Sequence, residues 1–174
     1  MSAIVTINSE EGLVDHLIVP GAVNTEIFLD YINQLFHVLG GRNDVVIFMD
    51  NLMVHHTKLV TARLLLFEWI AVFNAAYSSE LHCIEVVFAS VKFNYRKSMA
   101  EMTGKVIDQL HRNLIQKAIE GVSTDLIQRI IAKFERNWKT IVTYSEEWKK
   151  RPDELQLDRW CKEIRERHVK TDLT

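Results

Sequence analysis

The run Val45-Val46-Ile47-Phe48-Met49 restricts the fold of this chain more than any other segment. Five consecutive apolar residues without alternation fit a strand covered on both faces, as in a parallel sheet. Such a strand needs helices on its flanks, which places the chain in the α/β class. An acid, Asp50, closes the run, and in open α/β sheets sites form beyond the carboxyl ends of strands.

The surrounding sequence supplies the other elements. Ser2 to Asn8 and Leu13 to Val19 read as two strands joined by a turn at Glu10-Glu11-Gly12, an antiparallel hairpin. Pro20-Gly21 ends the second strand. Asn24 or Thr25 caps a helix to about Leu39, with Ile27, Phe28, Tyr31, Ile32, Leu35 and Leu39 at helical spacing. After the apolar run, Thr57 to Glu68 reads as a helix, Ile70 to Asn74 as a short strand and Ile84 to Lys97 as a helix with Glu85 near its start. Met102, Val106, Leu110 and Leu114 recur at helical intervals between Met99 and Ile119, Gly121 stops that segment, and Ser123 or Thr124 opens another helix. A last helix is expected from Pro152 to about His168.

Composition excludes several classes. With 174 residues, 48% hydrophobic and 25% charged, the chain is long enough to bury one substantial core. No apolar segment reaches the roughly 18–20 residues that span a bilayer, and Met-Ser-Ala-Ile-Val lacks a basic leader, so an intracellular protein is expected. Cys83 and Cys161 form no CxxC pair, so they read as free thiols rather than a disulfide or zinc framework. The net charge of −2 is unlike a broadly DNA-coating protein, so any nucleic-acid contact is local. The local basic patches are Lys92 with Arg96 and Lys97, then Lys149-Lys150-Arg151, then the mixed run Lys162 to Lys170, each also readable as a solvated helix face.

Two acids carry the chemical argument. Asp50 is followed by Asn51 and, after a three-residue gap, His55; Glu85 ends Tyr77-Ser78-Ser79-Glu80-Leu81-His82-Cys83-Ile84-Glu85. Taken singly, an Asp after a strand reads as a turn or cap, and a Glu in the first turn of a helix favours its positive end. Together, with 34 residues between them, these phrases resemble the catalytic core of mariner-like cut-and-paste DNA transposases. The resemblance covers about residues 2 to 98. It implies a ribonuclease H-like α/β domain and a DDE-type endonuclease, with metal-dependent DNA cleavage and strand transfer as the ancestral reaction. Asp50 and Glu85 would be catalytic ligands of Mg²⁺ or Mn²⁺, supported by Asn51 and His55, and DNA would be the ancestral partner. It further implies a nuclear protein if the source is eukaryotic. Two-metal phosphodiester chemistry asks for cations about 3.5–4 Å apart, held by carboxylates from rigid, separate elements.

The sequence departs from that family in two places. The family's phrase before the Glu is Pro-Pro-Tyr-Ser-Pro, two residues, then Asn-Pro-Ile-Glu; here Ala75-Ala76, Ser79, His82 and Cys83 stand at the prolines and the asparagine. Each lost proline frees a φ angle on the approach to Glu85. The family's first catalytic Asp ends a strand that precedes the hairpin, and this sequence starts at Met1 just before the hairpin. The expectation is therefore a mixed ribonuclease H-like sheet lacking its first strand (residues 1–98) with a helical carboxyl-terminal extension (residues 99–174). Asp15 lies on the wrong strand and Asp44 at the wrong end to replace the missing acid.

Catalysis by this chain alone is accordingly not expected. The runner-up is a domesticated, non-enzymatic DNA- or protein-binding scaffold, with a protein partner engaged through the carboxyl-terminal helices. A truncated reading frame with no function is a third reading. Trp138, Tyr144, Trp148 and Trp160, interleaved with basic residues, suit base stacking or a partner groove, although packing is the default. The pair His55-His56 has no HxxxH-type partner and reads as loop residues or as residues that support a ligand, rather than as a metal site.

Overall fold

The computed structural model describes residues 1–74, 82–102 and 108–148, with 138–148 described by backbone alone. Two compact units, Met1–Phe134 and Glu135–Thr174, divide the chain, and every site discussed below lies in the first. Among the described residues the element order is β1 (Ser2–Asn8), β2 (Gly12–Val19), α1 (Thr25–Val38), β3 (Val46–Met49), α2 (Lys58–Leu66), β4 (Ile70–Phe73), α3 (Cys83–Ala100), α4 (Asp108–Glu120) and α5 (Thr124–Trp148), with a 3-10 turn at Met53–His56.

The hairpin forms where the turn chemistry requires it. Asn8 Oδ1 accepts from the backbone N–H of Glu10 at 3.0 Å and of Glu11 at 2.6 Å, and Gly12 takes the left-handed φ of 78° that closes the turn. β1 and β2 then pair antiparallel from Ser2 opposite Val19 to Asn8 opposite Gly12, with one irregularity between Thr6 and Ile7. Strand alternation sends the hairpin's side chains to two different cores. Ala3, Val5, Ile7 and Ile18 face a core with Val87, Val91, Ile119 and Ile127 from α3, α4 and α5. Ile4, Val14 and Leu17 face a second core built on Phe28, Tyr31, Ile32 and Leu35 of α1. On that side, Thr6 Oγ1 and Tyr31 Oη lie 2.6 Å apart.

Helix α1 starts as expected. Asn24 Oδ1 caps it by accepting from Ile27 N at 2.9 Å, and the helix ends in the glycine pair, with Gly40 and Gly41 at φ 67° and 72°. β3 and β4 pair in parallel, Val46 opposite Ile70 through Met49 opposite Phe73. Ile47, Met49, Ala71 and Phe73 turn inward to the α1 core.

Two expectations are corrected. The apolar run is not covered on both faces: Val46 is 63% exposed and, of the strand, only Met49 is buried, because Val46 and Ile70 lie on the face turned away from α1. The strands form two pairs, β1–β2 antiparallel and β3–β4 parallel, with no hydrogen-bonded strand joining β1 to β3 among the described residues, in keeping with a mixed sheet that lacks its first strand. The segment from Met99 is not one continuous helix: α3 ends at Ala100, Met102 N donates to Met99 O in a turn, and α4 begins at Asp108. Val106, the loop at 75–81, the last basic patches and the helix expected from Pro152 lie outside the described residues, as do the side chains of Trp138, Tyr144, Trp148 and Trp160.

Candidate functional site

Asp50 stands directly beyond the carboxyl end of β3. Leu52 N donates to its Oδ1 at 3.2 Å, and the 3-10 turn that follows carries His55 back over the same residue. His55 Nδ1 lies 2.9 Å from Asp50 Oδ1 and 3.1 Å from the Asp50 carbonyl oxygen. The imidazole is held from behind by Phe28 of α1, ring centroids 4.5 Å apart. The His55 side chain is only 12% exposed, whereas that of Asp50 is 47% exposed, so a packed ring orients a carboxylate that opens to solvent.

Asn51 fixes the neighbouring backbone. Its Nδ2 donates to the Asn74 carbonyl at the end of β4, and its Oδ1 accepts from His56 Nε2 at 2.9 Å. Asn74 N in turn donates to Met49 O at 2.8 Å, and His56 packs on Phe73 with centroids 4.1 Å apart. The two histidines thus serve different partners, His55 for Asp50 and His56 for Asn51.

Glu85 occupies the first turn of α3, exposed, with its N–H donating to the His82 carbonyl at 3.1 Å. The carboxylate sits where the helix's unpaired amides favour negative charge. His82, at the amino-terminal cap of α3, is the residue that relates the two acids. Its ring is buried, 7% exposed, and lies 4.7 Å from Phe48 of β3. Burial lowers its pKa below the usual imidazole value, opposed by the negative charges of Asp50 and Glu85, both near enough to act on the ring. His82 Nδ1 is buried without a hydrogen-bond partner among the described residues. Sequence reading passed over His82 except as the residue standing at the family's asparagine; its signal was an imidazole beside an apolar strand and a helix start, which alone does not announce burial.

Asp15 and Asp44 stand apart from this group. Asp15 on β2 accepts from Gln34 Nε2 at 2.8 Å, and Asp44 pairs with Arg42 at 2.9 Å, which holds its carboxyl below the usual range. Among the described residues, no three His, Cys, Asp or Glu side chains converge to hold a metal ion. Asp50 and Glu85 offer hard oxygen donors of the kind Mg²⁺ and Mn²⁺ accept, but two carboxylates do not make up a two-metal centre.

The sequence profile of the DDE superfamily endonucleases matches residues 1–106. This chain belongs to that family. The match contains β1 to β4, all of α3 and both acids. Solved structures of the family share the fold. The chain is similar to the catalytic domain of Mos1 transposase, solved with raltegravir and Mn, at 20% identity over 82% of this chain and 74% of that one, TM-score 0.65. It is similar to the catalytic domain of Mos1 mariner transposase at 19% identity over 82% and 72%, TM-score 0.65. A pre-cleavage Mos1 transpososome matches with TM-score 0.66 at 18% identity, over 82% of this chain but 43% of that longer one. Comparison with curated proteins found no match. The fold is the ribonuclease H-like α/β fold of the Mos1 catalytic domain, and the resemblance first carried by Asp50-Asn51, His55 and Ile84-Glu85 is borne out as membership of the DDE superfamily endonucleases with that fold.

Proposed function

We propose that Asp50 and Glu85 are two of the metal-binding carboxylates of a DDE endonuclease domain whose ancestral reaction is metal-dependent cleavage and strand transfer of DNA. On this reading residues 1–98 hold the transposase core and residues 99–174 its helical extension. Asn51 and His55 support the acids: His55 orients the Asp50 carboxylate, and Asn51 ties the end of β3 to the end of β4. The observation that carries the reading is the contact of the His82 ring with Phe48, centroids 4.7 Å apart, which sets the first turn of α3 with Glu85 beside the strand that leads into Asp50, although 34 residues lie between the two acids in sequence. Mg²⁺ or Mn²⁺, when bound there, supplies Lewis-acid activation of water and stabilisation of the leaving oxygen.

These 174 residues on their own do not complete that chemistry. Members of a cooperative catalytic set act together, so two acids without a third hold neither metal alignment nor rate. The test is Mn²⁺ binding followed by electron paramagnetic resonance on the wild type, Asp50→Asn and Glu85→Gln. Weak binding lost in both variants supports the assignment; binding unchanged in both overturns it.

The second reading is a domesticated scaffold that binds DNA or a protein without cutting. It is favoured by the packing of hairpin, α3, α4 and the start of α5 around one core, which gives a stable platform independent of any metal. The aromatic carboxyl-terminal helices would then take the partner, and a nuclear site of action follows if the source is eukaryotic.

A further inference from the structure

Helix α3 leaves the candidate site with an unusual outer face. Its inner face is set by Val87 and Val91, both buried in the hairpin core, with Ile84 and Tyr95 beside them. At 100° per residue, the opposite face carries Glu85, Ala89, Lys92, Phe93, Arg96 and Ala100, all exposed. Val86 and Lys97, also exposed, flank this stripe on the Phe93 side. Exposed phenylalanines are uncommon, and Phe93 is 68% exposed. Lys92, Arg96 and Lys97 have no ion-pair partner among the described residues, although the chain as a whole carries a net charge of −2. The result is a positive stripe without ion-pair partners among the described residues, beside an aromatic platform and beginning about two helical turns from Glu85 on the same face.

We propose that this outer face of α3 is the track for a single DNA strand running to the candidate site. A strand with exposed bases needs cations for its backbone and a π-face for stacking, and Lys92, Arg96 and Phe93 supply both on one helix surface. At a rise of 1.5 Å per residue, Lys92 and Arg96 lie about 6 Å apart along the axis and Lys92 about 10 Å from Glu85, so two phosphates are gripped roughly two turns from the acid. The small side chains of Ala89 and Ala100 let the backbone approach the helix on either side of the cation pair. Duplex DNA is the poorer occupant, because a paired base does not offer its face to Phe93. The inference rests on the proposed endonuclease reading for its direction, towards Glu85, but its binding chemistry needs no metal.

The experiment is fluorescence anisotropy of the full chain with a dye-labelled oligothymidine strand and with a matched duplex, in chelator, across a salt series. The wild type binds the single strand more tightly than the duplex. The double variant K92E/R96E loses at least about tenfold in affinity and lowers the salt slope by about 1.4, two phosphate contacts at about 0.7 each. Phe93→Ala loses about tenfold with the slope unchanged. The exposed α4 pair R112E/K117E, which changes net charge equally, retains binding, and circular dichroism confirms that all variants fold. No binding by the wild type, equal loss in the α4 control, tighter duplex binding, or an unchanged slope in K92E/R96E overturns the proposal. Because the measurement is made in chelator, its failure leaves Mn²⁺ binding at Asp50 and Glu85 as a separate question.

Discussion

His55 Nδ1 lies 2.9 Å from Asp50 Oδ1 while its ring rests on Phe28, so the core of α1 reaches the candidate site through one imidazole. The contact explains how an acid on a short loop keeps a defined orientation: its own side chain is half open, but its partner is packed. The 3-10 turn at Met53–His56 makes this possible by folding the chain back five residues after the acid.

Replacing His55 with alanine removes both the hydrogen-bonding ring and its packing on Phe28. A stability loss of about 1–2 kcal/mol is expected, the range for a part-buried polar contact. If Asp50 is a metal ligand, Mn²⁺ affinity falls by about tenfold as well, the usual scale for losing an orienting partner. Urea unfolding and Mn²⁺ titration of the same variant check the two effects, and His55→Asn, which keeps a donor near Asp50, recovers part of the second.

Stability is expected to depend on pH through His82. Burial lowers its folded-state pKa below the unfolded value of about 6.5, so the neutral ring is favoured on folding. Its contribution is fully present above about pH 6.5, and it is lost as pH falls towards the lowered folded pKa, since only the unfolded chain gains the proton there. Chemical unfolding of wild type and His82→Phe at pH 7.5 and at pH 5.5 measures this; the variant shows a smaller loss on acidification. An identical loss in both removes His82 as the cause.

Gly12 and Ile127 report on how the hairpin meets the helices. A Cβ at Gly12 would lie 2.9 Å from Thr124 Cα, and the residue's φ of 78° disfavours any L side chain, so Gly12→Ala costs at least about 1 kcal/mol. Ile127 is completely buried between hairpin and helices, and Ile127→Ala costs about 2–5 kcal/mol. Single cooperative transitions shifted to lower denaturant in both variants are the expected result.

The cap of α1 makes a smaller claim. Asn24→Ala removes the acceptor for Ile27 N and is expected to destabilise by about 1 kcal/mol, whereas Asn24→Ser stays near the wild type. Thermal unfolding of the pair separates a capping loss from a general loop effect.

Sequence pattern located the elements whose signals are local. The Asn8 to Gly12 turn, the Asn24 cap, the Gly40-Gly41 stop and the position of Glu85 in the first turn of α3 all follow from short-range hydrogen bonding and φ preferences, and the structure has each of them. What was not legible depends on packing between distant segments. Val45–Met49 looks buried on both faces because all five residues are apolar, yet which face meets a helix is decided by α1, and Val46 is left in solvent. Helix periodicity across Met99 to Ile119 ran past the end of α3 at Ala100 and the turn in which Met102 N donates to Met99 O, which no proline announced. His82 and Phe93 were invisible for the same reason, since burial of one and exposure of the other are set by β3 and by the hairpin rather than by their neighbours in sequence.

The most direct test of the central claim is a plasmid-nicking assay with the purified chain in Mg²⁺ and in Mn²⁺, run beside Asp50→Ala. An incomplete pair of acids predicts no metal-dependent nicking above that of the variant. Cleavage by the wild type that vanishes in Asp50→Ala would contradict the account and show these 174 residues to be a working endonuclease.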